Sequence, residues 1–239
     1  VGRRISAAQL RAACDAVLLA VGAHQPRDLD VPGRDSGNIV FAMDYLTGGE
    51  HYDVRGKTVA VIGAGLTGED CIETALQQGA VEVKQFEILP RRDAASQTAV
   101  LPPETPEHLE QHWQVATKGF HGGNGDGGLQ AVEVVRVTYT PSPKGPVMHE
   151  VPNSEFKVAA DLAILAMGFH ATIESALAEQ FGLKTDEAGK IDVNENCAAS
   201  VEGVWAAGDI VTGPSYVATA IDSGRTAADR IDNYLKAFA

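Results

Sequence analysis

Three glycines with a spacing suited to phosphate binding follow a short apolar stretch in the first third of the chain. Gly63, Gly65 and Gly68 satisfy the pattern G-x-G-x-x-G, with Leu66 and Thr67 between the last two. In this pattern the first glycine permits a tight turn, the second lets the backbone approach a pyrophosphate, and the third lets a helix pack on a strand. Because an apolar strand precedes the motif and a helical pattern follows it, the motif predicts a dinucleotide-binding β-α-β unit.

A second stretch matches the same pattern without the same context. Residues 123–128 read Gly-Asn-Gly-Asp-Gly-Gly, but no apolar strand precedes them, and residues 131–139 alternate with β-branched side chains. A hairpin turn or a flexible loop is therefore predicted at this position.

The end of the second strand of the β-α-β unit bears on the choice of nucleotide. Glu87 lies about 20 residues after the third glycine, where an acidic side chain can bind the ribose 2′-hydroxyl of NAD. Arg91 and Arg92 follow shortly afterwards, where guanidinium groups can receive the 2′-phosphate of NADP. The alternative is that all three are surface charges, and with the glycine motif present we favour NADP.

Gly208 and Asp209 follow another apolar stretch and form a second candidate site. An aspartate at a strand end can accept a hydrogen bond from a ribityl or ribose hydroxyl, and a following helix N-terminus can stabilise negative charge on a flavin. The alternative is that Asp209 simply caps the next helix.

His108 and His112 stand four residues apart with Glu110 between them, on a segment (106–113) predicted to be helical. This spacing can ligate zinc, but it is not H-E-x-x-H and no third ligand is evident, so a solvated helix face is favoured. No Ser/His/Asp or Cys/His arrangement is assembled from the sequence.

The elements that would position these residues have recognisable patterns. Two similar apolar stretches, each an aspartate followed by apolar residues and a glycine, occupy residues 15–22 and 161–168, and both predict buried parallel strands. They suggest one domain inserted into another, with crossings near residues 46 and 168. Further predicted elements are a capped helix at 7–14, strands at 81–89, 132–139, 147–151 and 201–209, and a long helix at 216–238 whose core face carries Ala220, Ile221, Ala227, Ile231 and Leu235.

The composition of the chain argues against some classes of binding partner. The chain has 239 residues, 44% hydrophobic, and a formal net charge of −13, which argues against nucleic acid or an anionic membrane as a partner. No apolar run reaches the length of a membrane span. Cys14, Cys71 and Cys197 offer neither a disulfide framework nor a C-x-x-C pair, which is typical of reduced thiols in a cytoplasmic protein.

The whole chain resembles the small (beta) subunit of NADPH-dependent glutamate synthase and related FAD/NAD(P)H-dependent oxidoreductases. The stretches that carry the resemblance are residues 15–23, 26–29, 31–34, 61–71, 78–80, 86–91, 161–169, 203–209 and 223–228.

The resemblance implies an α/β fold in which a Rossmann-like NAD(P)H-binding domain (47–168) is inserted into the remainder of an FAD-binding Rossmann-like domain (1–46 and 169–239). It implies that residues 63–68 hold the NADPH pyrophosphate and that Arg91 or Arg92 meets the 2′-phosphate. It further implies that Gly168, Gly208 and Asp209 line the cofactor sites, and that the backbone near Val217, Ala218 and Thr219 faces the flavin ring of FAD. No acid–base residue is required, because hydride transfer is the chemistry of the cofactors.

The same resemblance implies that electrons pass from NADPH through FAD to [4Fe–4S] clusters and to the large (alpha) subunit, where glutamate is made. The cluster-binding cysteines and the first FAD-binding glycine motif of the family lie upstream of the matching region, so we expect this sequence to be a fragment that binds FAD poorly. Two alternative functions stay open: the chain is the electron-input subunit of a related flavoprotein of the transhydrogenase or pyrimidine-reductase type, or it is a non-catalytic nucleotide-binding module. A thioredoxin-reductase-like enzyme is disfavoured because its C-x-x-C is absent.

Overall fold

The computed structural model of the chain describes residues 4–48, 52–91, 107–122, 128–143 and 145–237. Its elements in chain order are α1 (Ala7–Ala13), β1 (Val17–Leu19), β2 (Gln25–Pro26), β3 (Ile39–Phe41), α2 (Ala42–Thr47), β4 (Thr58–Ile62), α3 (Leu66–Gln77), β5 (Glu82–Glu87), β6 (Leu109–Trp113), β7 (Val115–Gly122), β8 (Leu129–Thr140), β9 (Val147–Glu150), β10 (Phe156–Ala159), β11 (Leu162–Leu165), β12 (Phe169–His170), α4 (Ser175–Phe181), β13 (Val204–Ala206), α5 (Asp209–Thr212) and α6 (Val217–Lys236).

The chain forms two compact units. Unit 1 contains the residues up to Pro26 and those from Phe169 onward, and unit 2 runs from Arg27 to Gly168. The chain therefore first passes from unit 1 to unit 2 between Pro26 and Arg27, whereas the sequence analysis predicted this crossing near residue 46. The reason is that β3 pairs in parallel with β11, so the segment containing β3 belongs to the sheet of unit 2.

Unit 2 is built on a five-stranded parallel sheet of order β3-β11-β4-β5-β6. Strand β4, helix α3 and strand β5 form the predicted β-α-β unit. Along β4, Val59 and Val61 pack in a core with helices α2 and α3, whereas Ala60 and Ile62 pack in a second core on the opposite face. Because β4 and β11 are buried on both faces, their sequences are nearly continuous apolar runs.

A smaller antiparallel sheet covers that opposite face. Strand β8 pairs with β7, β9 and β10, and Val132 and Val134 of β8 enter the second core of the parallel sheet. The alternating strand predicted at 132–139 and the antiparallel return predicted at 147–151 are both confirmed.

The helix predicted over residues 106–113 is wrong, because Leu109–Trp113 form strand β6 and the two described residues before them form a turn. The strand pairs with β5 in parallel, and the His112 ring stacks on Phe86 with 5.0 Å between ring centroids. Side chains four residues apart lie on one face in a strand as well as in a helix, so the spacing of His112 and His108, which directly precedes β6, does not distinguish a helix from a strand. Among the described residues no group of three His, Cys, Asp or Glu side chains can hold a metal ion.

Unit 1 begins with α1, whose predicted capping box is present: Ser6 Oγ accepts from the Gln9 amide, and Gln9 Oε1 accepts from the Ser6 amide. Strands β1 and β13 form a two-stranded parallel sheet. All three residues of β13 are buried. The expectation of burial on both faces is wrong for β1, because Leu18 is 37% exposed.

Helix α6 confirms the long C-terminal helix but not its full core face. Of the residues predicted to face the core, Ala227 is buried, whereas Ile221 is 49% exposed and Leu235 is 38% exposed. The spacing of the apolar residues predicted the helix correctly, but this spacing alone does not indicate which other elements pack against its apolar face.

The stretch 123–127, which carries most of the second glycine pattern, lies outside the described residues. In the described parts of the chain, no helix combines the length and the apolar character that crossing a bilayer requires.

Candidate functional site

The turn between β4 and α3 requires glycine at two of its three motif positions. Gly63 has a φ of +116°, and a Cβ atom there would lie 2.3 Å from the carbonyl oxygen of Ala166. A Cβ atom on Gly68 would lie 2.6 Å from the carbonyl oxygen of Gly63. These two glycines therefore let the helix and the neighbouring strand approach the turn closely.

Gly65 occupies a different environment. It is the N-cap of α3 with φ −86° and ψ 177°, values that any residue can adopt, and nothing lies within 4 Å of a Cβ built on it. No side chain caps the helix. The open space thus lies against the start of α3, where the amides of Leu66 and Thr67 have no carbonyl of a preceding helical turn to bond. An anion can take that place.

Strand β5 holds the glycine turn through its own backbone and a buried side chain. The Gly63 amide donates to the Phe86 carbonyl at 2.8 Å, and Gln85 Nε2 donates to the Gly63 carbonyl at 3.2 Å. Gln85 Oε1 in turn accepts from Gln111 Nε2 of β6 at 2.6 Å. Gln85 is only 2% exposed. Sequence reasoning missed this glutamine. The two-residue period of a strand, which puts Gln85 on the same face as the buried Val83, was a usable signal.

Glu87, at the end of β5, binds two main-chain amides. Its Oε2 accepts from the Ala64 amide of the glycine turn at 2.8 Å, and its Oε1 accepts from the Leu89 amide at 2.8 Å. The Tyr139 hydroxyl donates to the neighbouring Ile88 carbonyl at 2.9 Å. Burial raises the pKa of Tyr139, and the nearby Glu87 carboxylate adds to the rise. Arg91 is exposed at the end of this segment, and Arg92 lies outside the described residues.

The second candidate site lies in unit 1. Gly208, with φ +76° and ψ −156°, is the N-cap of α5, and its amide donates to Ser223 Oγ of α6 at 2.9 Å. Asp209 Oδ1 accepts from Ser215 Oγ at 2.9 Å. The alternative of a cap by Asp209 is wrong, since Gly208 caps α5 and Tyr216 occupies the N-cap of α6.

The first turn of α6, which follows Asp209 by a few residues in the sequence, has exposed side chains. Val217, Ala218 and Thr219 are all exposed, and Val217 keeps 77% of its surface accessible. Gly168 lies in unit 2 with φ +82°, and its carbonyl accepts from the Arg27 amide at 2.9 Å. The candidate residues thus fall into two groups, one in each unit: 63–68, 87, 91 and 168 in unit 2, and 208, 209 and 217–219 in unit 1.

Comparison with curated proteins places glutamate synthase chains among the relatives, which confirms the resemblance seen in the sequence. The chain is 36% identical over 260 residues to the glutamate synthase [NADPH] small chain of Mycobacterium tuberculosis (strain ATCC 25618 / H37Rv), covering 98% of this chain and 52% of that protein. It is 37% identical over 255 residues to the small chain of Azospirillum brasilense, covering 100% and 52%. A glutamate synthase [NADH] of Schizosaccharomyces pombe is 35% identical over 262 residues, covering 95% and 12%. The chain thus spans about half the length of the bacterial relatives.

Solved structures share the fold. FprA from Mycobacterium tuberculosis in complex with NADPH superposes with a TM-score of 0.74 at 16% identity, covering 98% of this chain and 66% of FprA. Thioredoxin reductase from T. acidophilum gives a TM-score of 0.66 at 20% identity, covering 94% and 66%. The family model for pyridine nucleotide-disulphide oxidoreductases matches residues 4–224. The chain therefore belongs to the pyridine nucleotide-disulphide oxidoreductase family.

Proposed function

We propose that this chain is the NADPH-binding part of a flavoprotein of the glutamate synthase small-subunit type, in which hydride passes from NADPH to FAD. The observation that carries the proposal is the open face of Gly65 against an uncapped helix N-terminus, at the end of a central parallel strand. A pyrophosphate fits this place because main-chain amides supply donors and no side chain fills the space.

The chain's own residues act by binding and orientation. Amides at the start of α3 hold the phosphates, while Gly63 and Gly68 keep that helix end close to β4. Nicotinamide and flavin, when bound, supply the redox chemistry, so the protein needs no general acid or base. Its contribution is to fix the position of the nucleotide.

NADPH is the proposed nucleotide in preference to NADH. Arg91 is exposed at the end of the segment that follows β5, where the adenosine ribose of a dinucleotide is expected. A guanidinium group there can pair with a 2′-phosphate. The bacterial small chains are named as NADPH enzymes and the S. pombe protein as an NADH enzyme. Arg91 favours the NADPH assignment for this chain.

The proposed FAD contacts are Gly208, Asp209 and the first turn of α6. The Asp209 carboxylate suits a ribityl or ribose hydroxyl, and the uncapped N-terminus of α6 suits the electron-rich side of a flavin ring. Exposed apolar side chains at Tyr216 and Val217 suit contact with an aromatic ring system. In the same proposal, a large subunit that makes glutamate receives the electrons.

Titration calorimetry with NADPH and NADH tests the nucleotide assignment, and a diaphorase assay with added FAD tests the flavin assignment. We expect NADPH to bind more tightly than NADH and added FAD to restore dye reduction. Tight NADPH binding without any diaphorase activity would instead favour a non-catalytic nucleotide-binding module. Failure of both nucleotides to bind would refute the proposal.

A further inference from the structure

Glu87 holds two separate parts of the proposed nucleotide site with one carboxylate. Its Oε2 binds the Ala64 amide inside the glycine turn, and its Oε1 binds the Leu89 amide in the segment that leads to Arg91. Both distances are 2.8 Å. The two oxygens therefore join the phosphate-binding turn to the chain that carries the candidate 2′-phosphate ligand.

Each of these two parts is also anchored separately. On the turn side, Gln85 Nε2 donates to the Gly63 carbonyl. On the segment side, the Tyr139 hydroxyl donates to the Ile88 carbonyl at 2.9 Å and the Gln114 amide donates to the Leu89 carbonyl at 3.3 Å. The segment is thus fixed through its main chain, although the side chains of Ile88 and Leu89 are exposed.

We propose that Glu87 is a positioning residue that couples the glycine turn to the Arg91 segment, and so sets the preference between NADPH and NADH without binding the ribose. The proposal rests on the proposed function. A hydrogen bond from a ribose hydroxyl would have to share or displace one of the two amides that Glu87 accepts. A displaced amide would then need another acceptor.

Glu87→Gln tests this role with little change in shape. A glutamine offers one acceptor oxygen, and its NH₂ group cannot accept from an amide, so one of the two links must break. In the wild-type chain we expect Arg91→Ala to lower the ratio of NADPH to NADH affinity by about tenfold, the effect of losing one charge-assisted interaction. In the Glu87→Gln background the same substitution should change that ratio by less than about twofold, because Arg91 is already misplaced.

Tyr139→Phe is the matched control, because it removes an anchor of the segment and leaves the glycine turn intact. Tyr139→Phe should reduce the effect of Arg91→Ala on the ratio of NADPH to NADH affinity while leaving the affinity for NADH unchanged. Glu87→Gln should in addition lower the affinity for NADH. Amide hydrogen exchange, measured by NMR on the nucleotide-free chain, should show faster exchange at Ala64 or Leu89 in Glu87→Gln. If Glu87→Gln fails to fold, Glu87→Asp replaces it, since its shorter side chain cannot span both amides.

The outcomes separate the two proposals. Wild-type protein that binds neither nucleotide refutes the proposed function and this inference with it. Wild-type binding with an equal Arg91→Ala effect in both backgrounds refutes the inference alone, as would unchanged exchange at both amides. An Arg91 effect that disappears in Glu87→Gln and shrinks in Tyr139→Phe supports the coupling.

Discussion

Substitution of Gly65 separates nucleotide binding from folding more cleanly than any other change in the glycine motif. Its φ of −86° and ψ of 177° suit any residue, and nothing lies within 4 Å of an added Cβ. Gly65→Ala should therefore fold normally, with a cost of about 1 kcal/mol from the less favourable N-cap residue. In a chain of this size that cost lowers Tm by roughly 2–4 °C.

The same added methyl group lies where a pyrophosphate would approach the backbone. If two amides at the start of α3 lose their phosphate contacts, at roughly 1.5–3 kcal/mol each, the loss totals roughly 3–6 kcal/mol. This corresponds to a roughly 10²- to 10⁴-fold weaker Kd for NADPH. Gly65→Val extends the obstruction and should abolish binding of both NADPH and NADH.

Gly37→Ala provides the matched control. Gly37 also has open space around an added Cβ and no positive φ, but it precedes β3 and so lies at the amino-terminal edge of the parallel sheet, opposite the expected nucleotide. Calorimetry should give a wild-type Kd for Gly37→Ala. A Gly65→Ala protein that binds NADPH as tightly as wild type would show that no pyrophosphate docks at this turn.

Three further predictions concern stability. Gly63→Ala should lower the free energy of unfolding by about 2–4 kcal/mol in a denaturant titration, because of its φ of +116° and the collision of the new Cβ with Ala166. Gln85→Leu should cost about 1–3 kcal/mol by leaving the Gly63 carbonyl without its side-chain donor, and amide exchange at the glycine turn should accelerate. Burial, with a smaller effect from Asp70, raises the pKa of Cys71 to about 12 from 9.0. The unfolded chain therefore loses this proton first, so stability should fall by about 1.4 kcal/mol per pH unit between pH 9 and 12. Cys71→Ala should remove that part of the slope in unfolding curves measured across this range, and an unchanged slope would contradict the assignment.

The sequence predicted the central β-α-β unit because local patterns and tertiary packing agree there. The residues of β4 are buried on both faces, so their apolar run was unambiguous, and the glycine spacing marked the turn. Helix α3 also buries Ile72 and Ala75 at the expected spacing. In such segments the local chemistry alone is decisive.

Prediction failed where the decisive contact is distant in the chain. The segment 106–113 was predicted to be helical, but Leu109–Trp113 pair with β5 as a strand, and the His112 ring stacks on Phe86. Neither contact has a local signature in the sequence. Likewise the partner of Glu87 inside the glycine turn is an amide, which has no signature in the sequence. The candidate residues could be named from motifs, but their hydrogen bonds could not.

The alternation of β4 between two cores has a consequence for how this protein tolerates insertions and deletions. Val59 and Val61 pack in the core beneath the helices, while Ala60 and Ile62 pack in the core beneath the antiparallel sheet. Losing one residue from β4 would exchange these two sets, sending valines to a layer shaped for other side chains and displacing the turn that follows. Length changes should be tolerated instead near β9, whose four residues are all exposed.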